Sequence, residues 1–161
     1  GIIMKTQLAL LSVAILMTAC AGSYPERVVT KGPLICSSNE VCPELAIRWK
    51  EETRDGFKIT AEINNAQQYD IKQLNFIVDS QPYAYSTINA TQYTKVGSTT
   101  ASSNSITVPV SFLNSFRDAK EIELELVTDQ GKIIRPILKA NGEKSSAYLT
   151  FIKGYTDKLA Q

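Results

Sequence analysis

The sequence predicts one α+β domain: a mostly antiparallel β-sheet of six to seven strands, one short internal helix, and an amphipathic C-terminal helix packed on the sheet. Three observations carry this. Apolar and polar residues alternate with a period of two in several short segments between Leu45 and Lys139. Turn pairs such as Asp55-Gly56, Asn64-Asn65 and Asn141-Gly142 punctuate those segments. The period changes to three and four only after Lys144. A β-sandwich with the helix as an appendage is the alternative arrangement of the same elements.

The elements follow in order. Leu45, Ile47 and Trp49 alternate with polar neighbours, and Phe57, Ile59, Ala61 and Ile63 do the same beyond Asp55-Gly56, which makes a hairpin. Leu74, Phe76 and Val78 form the next strand, with Ile77 on its other face. Gln81-Pro82 ends it before a strand from Tyr83 to Ile88, for which Pro82 favours an edge position. The run Gly97–Ser105 reads by composition as a long flexible surface loop. Ile106, Val108 and Val110 then alternate, with Pro109 confining that strand to an edge or a bulge. The segment Leu113–Ala119 makes two helical turns, with Phe112, Leu113 and Phe116 facing inward. Ile122, Leu124 and Leu126 form a strand whose other face carries Glu121, Glu123 and Glu125, and Asp129-Gln130-Gly131 turns into a last strand. Lys132 and Arg135 are expected across from the glutamates. Tyr148, Phe151, Ile152, Tyr155 and Leu159 give the C-terminal helix its apolar face, with Ser145 or Ser146 as its cap.

The N-terminus has a different character. Gly1, Ile2 and Ile3 precede Met4, the first plausible initiator, and stand outside the fold argument. Lys5 and the apolar run Leu8–Met17 have the form of a secretory signal, too short for a bilayer span of about 20 residues. Met17-Thr18-Ala19-Cys20 resembles the lipobox of bacterial lipoproteins. That resemblance covers residues 4–21 and departs from the pattern at Met17, where Leu is preferred. It implies that Cys20 receives a diacylglycerol, that the signal is cut before it, and that the protein is anchored in the membrane by its acyl chains, each buried CH₂ contributing about 0.8 kcal/mol. Ala21 stands where an inner-membrane retention Asp is often found, so the resemblance implies an outer-membrane destination with the domain in the periplasm or at the cell surface. The organisation expected is therefore a removed signal at 1–19, a lipidated N-terminus and tether at 20–35, and one globular domain at 36–161. Val28 and Val29 are candidates to dock as an edge strand.

Composition excludes several functions. The chain has 161 residues with 17 Lys and Arg against 16 Asp and Glu, and losing Lys5 with the signal leaves it neutral. Such balance argues against nucleic acid as a partner. There is no histidine, hence neither the commonest general base nor the commonest zinc ligand. Cys36 and Cys42 are expected to form a structural disulfide in an oxidising compartment, with free thiols as the alternative. Their spacing is not the Cys-x-x-Cys of a redox centre, and two cysteines alone cannot complete a usual zinc set. No Ser-x-x-Lys motif, Gly-x-Ser-x-Gly elbow or phosphate-cradling glycine loop occurs. The three glutamates, about 7 Å apart along a strand, read first as a solvated face and second as a site for Ca²⁺ or a basic partner.

Tyr83, Tyr85 and Tyr93 are the candidate binding patch, because tyrosine joins an apolar ring to a polar handle. Core or sheet-surface packing is the competing reading. The expectation is a non-catalytic envelope lipoprotein, without metal or cofactor, that binds a protein or glycan partner. An inhibitor of an envelope-directed hydrolase, such as a lysozyme, is the alternative, and an enzyme working through carboxylates or Ser and Lys comes third.

Overall fold

The computed structural model describes residues 26–50 and 56–159. Among these residues, nine strands form two antiparallel sheets. Sheet A runs in the order β1 (Glu26–Pro33), β2 (Glu44–Lys50), β3 (Gly56–Asn65), β7 (Thr99–Pro109), β6 (Gln92–Val96). Sheet B has the order β5 (Gln81–Ser86), β4 (Ile71–Val78), β8 (Ile122–Thr128), β9 (Gly131–Leu138). Helix α1 (Val110–Asp118) carries the chain from sheet A to sheet B, and α2 (Ser146–Leu159) packs on β1 and β2. The fold is α+β with sandwich-like packing, so the two arrangements expected from the sequence meet in one molecule.

The alternating residues behave as their period requires. Leu45, Ile47, Trp49, Ile59 and Ile63 of sheet A are buried with Leu74, Phe76, Leu124 and Leu126 of sheet B in one core. The hairpin of β2 and β3 is present, but Gly56 already lies in β3 and the connection is 51–55, outside the described residues. The turn between β4 and β5 is Asp79-Ser80, not Gln81-Pro82. Both turn residues have positive φ, 48° and 70°, the backbone that lets a two-residue turn match the strand twist. Asp79 also accepts the N–H groups of Lys120 and Glu121 at 2.9 Å each, tying that turn to the entry of β8.

Three further expectations need correction. The count of six to seven strands is too low. Gly97–Ser105 is not a loop: Thr99 opens the eleven-residue β7, which lies between β3 and β6. Hydroxyl-rich residues form a strand here because β3 on one side and β6 on the other take up its backbone groups. Arg135 does not face the glutamates. Its Nη1 lies 3.3 Å from Glu40 and its Nε donates to the Val41 carbonyl, while Lys132 does pair with Glu125 at 3.1 Å.

Other expectations hold. Pro82 lies on an edge strand, and Pro109 ends β7 beyond the part that β6 pairs. Phe112, Leu113 and Phe116 are the buried residues of α1. The Ser145 hydroxyl accepts the Tyr148 N–H at 3.0 Å and caps α2. Residues 26–33, the last part of the proposed tether, pair with β2 as an edge strand.

Candidate functional site

The disulfide joins Cys36 to Cys42 with Cα atoms 5.8 Å apart, and so closes the long connection between β1 and β2. That connection is also held from outside. Ile35 donates to the Pro136 carbonyl and Arg135 reaches Glu40 and Val41, while within the connection Leu34 donates to the Pro43 carbonyl. The Ser37 N–H bonded to the Glu40 carboxylate, with Arg135 nearby, holds that carboxyl below its ordinary pKa. These contacts make a rigid structural loop.

The three tyrosines do not form one patch. Tyr83 and Tyr85 lie on β5 of sheet B, half-buried, with ring centroids 5.4 and 5.3 Å from Phe112. Phe112 in turn lies 4.9 Å from Phe116 and 5.0 Å from Phe76, and Phe116 lies 5.3 Å from Phe151. The two tyrosines thus wall an aromatic cluster around α1. Burial pushes the Tyr85 hydroxyl above the ordinary tyrosine pKa, and Tyr83 adds to the shift. Tyr93 lies on β6, the edge of sheet A, paired with Ser102 and 44% exposed. Its hydroxyl is also raised, first by desolvation and then by the carboxylates of Asp70 and Asp129. Cys20 lies outside the described residues.

Of the glutamate row, Glu123 and Glu125 lie half-buried on the inner strand β8, and the exposed Glu121 precedes it. Among the described residues, no group of three or more Asp, Glu or Cys could hold a metal ion. Nor is any described helix long and apolar enough to cross a membrane.

A feature that the sequence reading missed is a polar recess of about 190 Å³ on the outer face of sheet A. Strand β6 begins only at Gln92, opposite Ser103, so residues 104–109 of β7 have β3 as their one strand neighbour. The recess opens beside that uncovered stretch. Arg48 of β2, Lys58 and Thr60 of β3, Ser103 and Ser105 of β7, and Gln92 of β6 line it, with Asn104 and the loop residues Asn89 and Ala90. Thr60 and Ser105 face each other across the β3–β7 register with hydroxyls 2.7 Å apart.

Asn104 builds the wall of the recess. Its amide nitrogen donates to the carbonyls of Ile71 and Asn89 and to the Thr91 hydroxyl, at 2.9–3.2 Å. Thr91 donates on to Asp70 at 2.8 Å and accepts the Ile71 N–H. A buried amide thereby pins the loop before β6 to both sheets.

The charges on this face are sorted. Glu44 and Glu62 are directly opposite across β2 and β3, and Lys31 of β1 bridges to Glu62 at 2.6 Å. The Glu62 hydrogen bond raises the Lys31 pKa, and the charges of Glu62 and Glu44 add to it. Four residues along, Arg48 and Lys58 are directly opposite, and among the described residues they are the charged side chains that line the recess. No known protein family, curated protein or solved structure matches the chain.

Proposed function

We propose that this chain is a lipid-anchored, non-catalytic binding protein of the bacterial cell envelope, held by acyl chains on Cys20, and that its partner is a glycan. The anchor rests on the lipobox-like Met17-Thr18-Ala19-Cys20. The choice of glycan over protein rests on one observation, the recess on sheet A. Eight of the nine described residues that line it are polar, and they supply hydroxyl, amide and cationic groups from strands whose positions the sheet fixes. Hydroxyls and amides both donate and accept, which suits a sugar's hydroxyl groups. Tyr83 and Tyr85 are engaged with Phe112, and Tyr93 shares the face of its partner Ser102 and not that of the recess, so this reading places contact at the recess and leaves the three tyrosines out of it.

The test has two arms. Intact mass and membrane fractionation of the full chain, beside Cys20→Ala, should show acylated protein in the outer membrane and loss of both acylation and outer-membrane placement in the variant. The full chain in detergent should also co-sediment with purified envelope glycan. An unacylated, soluble product from both chains removes the anchor, and a supernatant protein in the sedimentation arm removes the glycan partner.

A further inference from the structure

We infer that the shortness of the chain between Cys20 and β1 turns one end of sheet A, the end carrying Glu26, Lys50, Gly56 and Pro109, toward the headgroups of the bilayer. The inference rests on the anchor reading above and adds to it the surface of the domain that faces the lipid.

Length sets how far the domain can stand off. Five residues, 21–25, separate Cys20 from Glu26, the first residue of β1. Fully extended, the six steps from Cys20 to Glu26 span at most about 21 Å. The strand cannot lend more. β1 pairs with β2 from Glu26 opposite Lys50 to Pro33 opposite Glu44, and Gly32 lies close against the Ser146–Ala147 backbone of α2. A tether lengthened at the expense of β1 would strip ladder hydrogen bonds from the edge of the sheet.

Register puts the anchor at one end of the sheet. Lys50, opposite Glu26, stands two residues beyond Arg48, and Arg48 is opposite Lys58. On β3, Gly56 stands two residues beyond Lys58 and is opposite Pro109, where β7 gives way to α1. Four neighbouring strands thus bring their ends together. At about 4.8 Å between strands, Pro109 lies about 14 Å across the sheet from Glu26.

The opposite end is out of the tether's reach. β7 has eleven residues, so Thr99 lies about 33 Å along the strand from Pro109. Turning the domain over, with Thr99 at the lipid, would lift Glu26 by roughly that length, beyond the limit of about 21 Å. An anchored chain therefore keeps the β1 end low and directs the end with Asn65 and Thr100, which pair with each other, away from the membrane. Arg48 and Lys58 of the recess, two residues in from the β1 end, stay within about 30 Å of the lipid. A glycan held there is one presented close to the membrane surface.

The experiment puts a donor fluorophore on single cysteines introduced into the acylated full chain. The chain is reconstituted in phosphatidylethanolamine–phosphatidylglycerol vesicles whose headgroups carry an acceptor. Thr107→Cys and Ser111→Cys mark the β1 end, and Gln67→Cys and Ser98→Cys mark the far one, all four at exposed positions. Cys36 and Cys42 are bridged to each other, so the introduced thiol takes the label. Thermal unfolding of each labelled chain verifies its fold, and two sites at each end cover the loss of one. Intact mass and flotation with the vesicles read the anchor separately. The expected result is greater energy transfer from Thr107→Cys and Ser111→Cys than from Gln67→Cys and Ser98→Cys. The difference should narrow when about twelve Gly and Ser residues are inserted between Ser23 and Tyr24, which makes the extended tether longer than β7. Acylated, floating chains with equal transfer from both ends, or greater transfer from the far one, overturn the seating and leave the anchor standing. A difference unchanged by the insertion overturns the tether as its cause. Chains that carry no acyl group and do not float remove the anchor and the seating together.

Discussion

The inward face of β7 divides the interior into two unlike ends. Ile106 and Val108 enter the apolar core that runs on to the rings around Phe112. Thr100, Ser102 and Asn104, earlier on the same strand and pointing the same way, are just as buried but polar. The Ser102 hydroxyl accepts the Tyr69 N–H, Asn104 holds the 88–91 loop, and Asp129 accepts the Asp70 N–H. One end is held by area removed from water and ring packing; the other by hydrogen bonds with few alternatives. The difference shows that burial and hydrophobicity separate where a recess has to be built. An apolar end would pack well and position nothing.

Substitutions at each end test that division. Phe112→Ala should have the largest effect, about 3–5 kcal/mol lost in chemical denaturation, because it removes a ring contacting Phe76, Phe116, Tyr83 and Tyr85. It should leave the 88–91 amides unshifted in NMR spectra of the folded fraction. Asn104→Ala should cost about 2 kcal/mol, since it strands the acceptors that the amide satisfied. Unlike Phe112→Ala, it should release the 88–91 loop to faster hydrogen exchange. An equal exchange response from both variants would erase the distinction between the ends.

Reducing Cys36–Cys42 should lower stability by about 2 kcal/mol, the loop-closure figure for a ring this small, and disturb neither end. The smallest effect concerns pH. The Tyr85 hydroxyl has a raised pKa in the folded chain, so folding favours its neutral form. The corresponding stability is fully present below the ordinary tyrosine value of about 10 and is lost as pH rises through the higher folded value. Ultraviolet titration should show a delayed phenolate step, and Tyr85→Phe should remove part of it.

Legibility in the sequence follows the same division. Wherever burial coincides with hydrophobicity, the pattern of two located the strand: β2, β3, β4 and β8 are all visible in this way, as are the inward residues of α1. The first half of β7 was hidden because its buried positions are Thr100, Ser102 and Asn104, whose composition is that of a loop. β6 is exposed along its whole length and carries no alternation at all. The recess stayed out of sight for a third reason. Arg48 and Lys58 become opposite only in the observed register, which differs from the one that a turn at Asp55-Gly56 would produce. Tyr83 and Tyr85 were correctly placed on one strand face, but which face meets Phe112 depends on α1, far along the chain.

The approach of Gly32 to the start of α2 has a consequence for the order of assembly. A Cβ at Gly32 would lie 2.8 Å from the Ser146 carbonyl carbon and 3.0 Å from the Ala147 nitrogen, so backbone meets backbone there. The strand nearest the proposed anchor is thus completed by a helix more than about a hundred residues further along. A contact so distant in sequence forms late, after the loop-closure entropy has been met. A chain emerging N-terminus first would expose its first edge strand until the final helix arrived. During that interval the end nearest the proposed anchor is the open end, and a chaperone or protease that meets the nascent protein would find β1 first.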